Sequence, residues 1–230
     1  HHVQLWDSES GELLAILDRH SITTMIESNI TFSRDSQKLA AVVGENEIYV
    51  WQLPQFGTPA GGAPAHIAAP DVKLRAGTVG IQALAFTTVG QELRCLSGTS
   101  IITLDVTAHE NAGLGPELED FTQAAISQDA TKAAINVMSE SPHCLVWDLV
   151  RDRELFRVPL TRGTSSKPTF SPDGRRLALV RNPAESEVVR QLLILDSQTG
   201  EQLKAISADK PVPDRLNSAD LSFQIGRAHV

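Results

Sequence analysis

Two short sequence markers recur along the chain in a fixed order, and this repetition constrains the fold more than any other feature. The first marker is an apolar run that closes in Trp or Leu plus a polar residue, as in VQLWD, IYVWQ, IITLD, LVWDL and LLILD. Its anchor residues are Trp6, Trp51, Leu104, Trp147 and Leu195, spaced by 45, 53, 43 and 48 residues. The second marker stands before a polar turn, at Phe32, Phe86, Ile126, Phe170 and Phe223. Two markers that share one period and keep their order indicate an internal repeat.

Each repeat is predicted to hold four short β-strands. In residues 167–207, PTF is followed by the turn SPDG, the apolar run LALV, the run LLILD, the turn SQTG and the more polar EQLKAI. Pro, Asp and Gly suit tight turns, and a continuous apolar run is typical of a strand buried on both faces. The Ala-rich stretch Phe121–Val137 has helix propensity, but its register in the repeat favours two strands around SQDAT. A four-stranded unit of about 40–45 residues predicts an all-β chain built as a β-propeller.

The residues at these markers resemble those of the WD-repeat propeller family. The dipeptides Trp6–Asp7 and Trp147–Asp148, together with FSPDGRRLALV from Phe170, are similar to the strand-ending and strand-opening signatures of that family. The remaining signature positions are Trp51, Leu104, Asp105, Asp173, Gly174, Leu195 and Asp196. The chain departs from the pattern at Gln52, in two Leu–Asp endings, and in lacking the Gly–His pair of the family. The resemblance implies a propeller, most often of seven blades, that binds other proteins.

The repeat also divides the chain. We predict a propeller fragment over residues 1–224, with units at about 1–18, 28–76, 80–118, 121–160 and 166–207 and the start of another at 218–224. This amounts to about four to five blades of an incomplete ring. Residues 54–70 are predicted to be an insertion after the third strand of one blade, with the Gly-rich stretch Phe56–Ala65 flexible. Trp147 is predicted to fill the core between blades. The last six residues, IGRAHV (225–230), resemble a translated sequencing adaptor and are left out of the fold.

Composition and motifs restrict the functions that this chain can have. Twenty basic against 28 acidic residues give a net charge of −8, which disfavours a nucleic-acid partner, and the short basic run Arg175–Arg176 is interpreted as solvated surface. Cys95 and Cys144 lie in apolar runs and are expected to be buried thiols. No apolar run reaches the roughly 18–20 residues of a membrane span. No metal-ligand spacing, nucleophile elbow or phosphate loop occurs. We therefore expect no catalytic, cofactor or metal site.

The sequence favours a non-enzymatic, cytoplasmic scaffold that binds other proteins. The best candidate for a contact surface is the loop between Arg181 and Gln191, with the charged residues Arg181, Glu185, Glu187 and Arg190. Long loops on a rigid scaffold often bind partners, although a tolerated insertion without a partner remains open. Two other functions also remain open: the propeller portion of a larger peptidase, hydrolase or kinase whose catalytic domain lies elsewhere, and a periplasmic accessory protein.

Overall fold

The computed structural model describes residues 2–18, 29–55, 64–67, 69–77, 80–108, 110–117, 121–161, 167–181 and 191–207. Within these ranges the chain forms 19 strands and no helix. The chain divides into two compact units, the first being His1–Ser97 with Ile102–Leu114 and the second Gly98–Ile101 with Gly115–Val230. The strand predicted at 218–224 lies outside the described residues.

The strands follow one another as antiparallel meanders. The first eleven are β1 (His2–Trp6), β2 (Leu13–Asp18), β3 (Ile30–Phe32), β4 (Lys38–Val43), β5 (Glu47–Gln52), β6 (Ala65–Ile67), β7 (Val72–Arg75), β8 (Ile81–Phe86), β9 (Glu92–Ser97), β10 (Ser100–Asp105) and β11 (Glu110–Glu117). The others are β12 (Phe121–Ile126), β13 (Lys132–Val137), β14 (His143–Asp148), β15 (Arg153–Pro159), β16 (Thr169–Phe170), β17 (Arg176–Arg181), β18 (Gln191–Asp196) and β19 (Gln202–Ser207). They form four sheets of four strands, β3-β4-β5-β7, β8-β9-β10-β11, β12-β13-β14-β15 and β16-β17-β18-β19, and one sheet of three strands, β1-β2-β6.

The middle strands are apolar throughout because both of their faces are buried. In the second sheet, Leu39 and Trp51 pack with Leu17 of the first sheet, whereas Ala40 and Val50 contact the cluster that contains Phe86 of the third sheet. Successive side chains of a strand point to opposite faces, so one strand contributes to two hydrophobic cores. In the second unit, Ala134, Cys144 and Val146 pack in the same manner against Leu177, Leu179, Leu193 and Leu195.

The prediction for residues 121–137 is confirmed, since β12 and β13 flank a tight turn there. The insertion predicted at residues 54–70 lies between β5 and β7, but it contains a strand that was not predicted, because Ala65–Ile67 forms β6 and pairs with β2. The partner of β6 is strand β2 of the first sheet, and a local sequence pattern does not reveal a pairing between neighbouring sheets. Residues 56–63 of this insertion lie outside the described ranges.

The expected role of Trp147 was also wrong. Its ring is only partly buried, and its Nε1 donates a hydrogen bond to Oδ1 of Asp152 at 3.2 Å. The turn after β14 places Asp152 beside the indole and holds the ring toward solvent. Trp51, at the corresponding point of β5, is the fully buried tryptophan, with 0% of its surface exposed.

Candidate interaction surface

The turn between the first and second strands has the same hydrogen bonds in three sheets. In the turn 171–176, the hydroxyl of Ser171 donates to Oδ1 of Asp173 at 2.6 Å and accepts from the backbone N–H of Arg176 at 2.9 Å. Oδ1 of Asp173 also accepts from the N–H of Arg175 at 3.0 Å. The turns 33–38 and 127–132 repeat these bonds around Ser33 and Asp35 and around Ser127 and Asp129. A serine and an aspartate two residues later therefore build the turn.

One residue of each turn has a left-handed backbone. Its φ is 57° at Ser36, 52° at Ala130, 67° at Gly174 and 71° at Gly90. Only two of these four residues are glycines, so the serine and aspartate hydrogen bonds hold the other two turns in a conformation that costs an L-residue roughly 1–2 kcal/mol. The fourth turn, 87–92, keeps the backbone bonds of Thr87 but has Val89 where the others have aspartate.

The aspartate at the end of the third strand builds a second kind of turn. Oδ1 of Asp196 accepts from the N–H groups of Gln198 and Thr199, both at 2.9 Å. Asp7, Asp105 and Asp148 accept two backbone N–H groups in the same way. The signature aspartates at these positions thus close the hairpin between the third and fourth strands.

Gln52 occupies this position in the second sheet, and there the chain does not make the tight turn. The N–H of Gln52 donates to Oδ2 of Asp71 at 2.5 Å instead, across the insertion that contains β6. The departure from the repeat pattern and the insertion therefore occur at the same place.

Four tight turns of the second unit lie at the same end of its two sheets, because alternate hairpins of a meander share an end. We call this surface the turn face; it consists of residues 127–132, 148–153, 171–176 and 196–201. The carbonyl oxygen of Gly174 connects three of these turns, since it accepts from Nζ of Lys132 at 3.3 Å and from Oγ of Ser197 at 2.5 Å. The turn face is therefore held together by hydrogen bonds between turns as well as within them.

The turn face presents arginines to solvent while four of its five aspartates accept backbone hydrogen bonds. Arg151, Arg153, Arg175 and Arg176 are exposed, and Val150 is 62% exposed. Arg151 also pairs with Oδ2 of the buried Asp148 at 3.1 Å. This surface combines exposed arginines, apolar area and a rigid backbone, which is typical of sites where proteins bind each other.

Hydrogen bonds hold Asp148, Asp173 and Asp196 of the turn face in the charged form. The hydroxyl of Ser171 and the N–H of Arg175, with the charges of Arg175 and Arg176, lower the pKa of Asp173. Backbone hydrogen bonds from Thr199 and Gln198 lower the pKa of Asp196. Burial would raise the pKa of Asp148, but its hydrogen bonds to Arg151 and Val150 outweigh this and lower it. These groups are stabilised as anions and are poor proton donors at neutral pH.

The two cysteines are buried, unpaired thiols. Burial raises the pKa of Cys95 and of Cys144 to about 12, so both remain protonated at neutral pH and are weak nucleophiles.

Among the described residues, no group of three or more His, Cys, Asp or Glu side chains is placed to hold a metal ion. The same residues include no helix long and apolar enough to cross a membrane.

The structure places the predicted site residues in two different ways. Asp7, Asp105, Asp148, Asp173 and Asp196 each form a turn, whereas Trp51, Leu104 and Leu195 are buried between strands. Trp6 is largely exposed and Phe170 is partly buried. Of the predicted contact loop, Arg181 donates to Oε1 of Gln191 at 2.5 Å, and Glu185, Glu187 and Arg190 lie outside the described residues.

Comparison with known proteins shows the fold. A chain of Kuenenia stuttgartiensis hydrazine synthase is 15% identical with a TM-score of 0.54, over 83% of this chain and 53% of that one. The β-propeller domain of Myceliophteria thermophila Cps50 (Swd1) is 16% identical with a TM-score of 0.51, over 80% of this chain and 56% of that one. No family model and no curated protein matches the chain.

The chain therefore has the fold of a β-propeller with four-stranded antiparallel blades, and the predicted fold class is confirmed. It spans just over half the length of the two solved chains, as expected of part of such a propeller. At 15% and 16% identity the likeness concerns the fold alone, and membership of the WD-repeat family stays a prediction.

Proposed function

We propose that this propeller chain is a non-enzymatic platform for protein partners and that the turn face is one of its binding surfaces. The proposal rests on the four exposed arginines beside the exposed Val150, all on turns fixed by hydrogen bonds. A rigid surface loses little conformational entropy when a partner binds. Arginine is enriched in protein interfaces because its planar guanidinium can pair with two carboxylate oxygens at once.

The complementary partner is a protein segment rich in Asp and Glu. The turn face holds five basic and six acidic residues, and four of its aspartates already accept backbone hydrogen bonds. Acidic side chains of a partner can therefore pair with its exposed guanidinium groups. A nucleic acid is a poorer candidate because the whole chain carries a net charge of −8.

The chemistry of the described polar groups supports a binding role over a catalytic one. The turn aspartates are hydrogen-bonded anions with lowered pKa values, and the thiols of Cys95 and Cys144 are buried with pKa values of about 12. General acid catalysis and attack by a thiolate need the opposite shifts. We also propose a cytoplasmic location, which the unpaired thiols favour weakly because cytosolic thiols are kept reduced.

The binding role can be tested with a charge reversal on the turn face. Partners of the full-length protein would be identified by cross-linking in its own cells, and the purified pair would be measured by titration calorimetry. The double variant Arg175→Glu/Arg176→Glu should weaken binding by about tenfold or more, because it sets like charges against the acidic partner. Lys204→Glu, on the exposed strand β19, reverses one charge away from the turn face and should leave affinity unchanged, whereas the single reversal Arg175→Glu should weaken it. Equal affinities for these two single variants, with unchanged melting temperatures, would refute the proposed surface.

A second measurement addresses the absence of catalysis. Active-site-directed probes for serine hydrolases should not label the purified chain. Stoichiometric labelling at a single serine, abolished by Ser→Ala at that position, would overturn the non-enzymatic proposal. Labelling confined to another part of a longer parent protein would instead support the alternative of a propeller attached to a catalytic domain.

A further inference from the structure

Strand β6 belongs by sequence to the second sheet but lies at the edge of the first. It is part of the insertion between β5 and β7, and it pairs in parallel with β2 through Ala15↔Ala65, Ile16↔His66 and Leu17↔Ile67. Parallel neighbours are unusual in a sheet of hairpins, since a parallel pair needs a long connection. The insertion supplies that connection.

The strand that β6 covers differs from the outer strands of the other sheets. The residues Leu13–Leu17 of β2 are all apolar. Outer strands β7, β15 and β19 carry the charged residues Lys73, Arg75, Arg153, Glu154, Arg157 and Lys204. Charged side chains on an edge strand discourage pairing with another chain, and an apolar edge without them invites it. Among these four outer strands, β2 is therefore the one that needs a physical cover.

The side chains of β6 fit this role. Ala65 and Ile67 pack against the cluster that contains the fully buried Ala15 and Leu17, whereas His66 between them is exposed. This alternation gives β6 one apolar face toward the core and one polar residue toward solvent, as in an edge strand.

Both ends of the insertion are tied to the second sheet. The N–H of Leu53 donates to the carbonyl of Gln37 at 2.7 Å, and the side chain of Leu53 is buried in the same cluster as Ile67. At the other end, Asp71 donates its N–H to the carbonyl of Val50 at 2.9 Å and accepts from the N–H of Gln52. The described residues at the two ends of the insertion are thus anchored to the second sheet, while β6 pairs with β2 of the first sheet.

We propose that β6 (Ala65–Ile67) is a protective strap that occupies the outer edge of β2 and prevents a second copy of this chain from adding a strand there. The loss of the tight-turn aspartate at Gln52 accompanies this role, because a two-to-five-residue hairpin could not reach the neighbouring sheet. When the strap is displaced, the exposed donors and acceptors of β2 pair with an extended segment of another molecule.

The test compares four forms of the protein. In Ile67→Asp, the charge is placed against the apolar cluster and should displace β6, whereas His66→Asp adds the same charge to the exposed face and is the matched control. In a third variant, Gln52–Pro70 is replaced by the seven residues 196–202 (DSQTGEQ), which close the hairpin between β18 and β19. Hydrogen exchange of β2 is followed by mass spectrometry, and self-association by sedimentation at several concentrations.

We expect Ile67→Asp and the turn replacement to lower the protection of β2 amides about tenfold or more and to increase self-association over wild type. His66→Asp should match wild type, and β4 and β5 should keep their protection in every form. Unchanged protection of β2 in the two disruptive variants would show that β6 does not cover it. Lost protection without increased self-association would show that the strap does not guard against pairing. Either result overturns the proposal.

Discussion

At the residue scale, Gly200 is constrained by both its backbone and its surroundings. Its φ is 76°, and an added Cβ would lie 2.7 Å from Cδ2 of Phe156. Gly11 occupies the corresponding turn of the first sheet with a φ of 71° and no atom within 4 Å of such a Cβ. The two glycines therefore separate the cost of a left-handed backbone from the cost of a steric clash.

Gly200→Ala should be more destabilising than Gly11→Ala. Both substitutions cost roughly 1–2 kcal/mol for the positive φ, and Gly200→Ala adds about 1–3 kcal/mol for overpacking against Phe156. Urea unfolding of the two variants measures the difference. Equal losses would mean that the ring of Phe156 moves aside without cost.

Val89 marks a turn in which the hydrogen-bonding pattern is incomplete. The hydroxyl oxygen of Thr87 is buried and has no hydrogen-bond partner, and Val89 is 74% exposed at the position where the related turns have aspartate. Val89→Asp should supply an acceptor for this hydroxyl and raise the free energy of unfolding by about 0.5–1.5 kcal/mol. In the background Thr87→Val, the gain should be smaller, because only the bond from a backbone N–H, as in the related turns, remains for the new aspartate. A double-mutant cycle measures the difference. An equal gain in both backgrounds would point to a general effect of surface charge.

The two tryptophans on β5 and β14 should differ in their contribution to stability. Trp51→Ala removes a fully buried ring from the core between the first two sheets and should cost about 3–5 kcal/mol. Trp147→Ala removes a partly exposed ring and should cost clearly less. Thermal unfolding of both variants gives the comparison, and a loss at Trp147 as large as that at Trp51 would contradict the observed burial.

At the scale of the elements, the aspartate turns make stability depend on pH. The hydroxyl of Ser33 and the N–H of Gln37 lower the pKa of Asp35 below 3.8, and Asp173 is lowered by the equivalent groups. A carboxyl whose pKa is lower in the folded chain stabilises the fold above its unfolded pKa. That contribution is lost as the pH falls through the folded pKa.

Acid should therefore weaken these turns through protonation of their aspartates. The urea midpoint of the wild type should fall between about pH 5 and pH 2, and it should fall less steeply in Asp35→Asn/Asp173→Asn, which keeps an oxygen acceptor but cannot be protonated in this range. Parallel curves for the two proteins would show that other groups cause the acid sensitivity.

The sequence predicted the strands of the repeats better than the turns and the insertion. The turn SPDG was recognised from Pro, Asp and Gly, but Ser36 and Ala130 adopt the same left-handed conformation without glycine. There the serine and aspartate side chains provide the bonds, and their spacing was the available signal. Strand β6 was not predicted, because an alternation over only three residues, AHI, is too short to indicate a strand, and β6 owes its conformation to pairing with β2.

At the scale of the whole molecule, the period of the repeat predicted the architecture because each sheet must bury both faces of its middle strands. The candidate site was harder to predict. The arginines at 175 and 176 were interpreted as solvated surface, since a sequence does not show that Val150 and the arginines of the neighbouring turns are exposed as well. The contact loop was predicted at Arg181–Gln191, where the structure describes only the two end residues.

The hydrophobic clusters lie between neighbouring sheets, so destabilisation should remain local. Leu193→Ala removes a buried side chain from the cluster between the last two sheets and should cost about 2–5 kcal/mol. In a structure of stacked repeats, this loss falls mainly on the repeats that share the interface. Hydrogen exchange should therefore quicken in β12–β19 more than in β1–β5. Uniform acceleration throughout the chain would indicate one cooperative unit.

The serine and aspartate turns also bear on how such chains diverge. In each serine and aspartate turn, two side chains and the main chain supply the hydrogen bonds. Neighbouring positions can therefore change without loss of these bonds, and even the left-handed position accepts Ser or Ala. Homologues can then drift until little but the spacing of these polar pairs survives. A search pattern based on Ser-x-Asp at intervals of one blade should therefore recover distant relatives that patterns built on Trp–Asp dipeptides pass over.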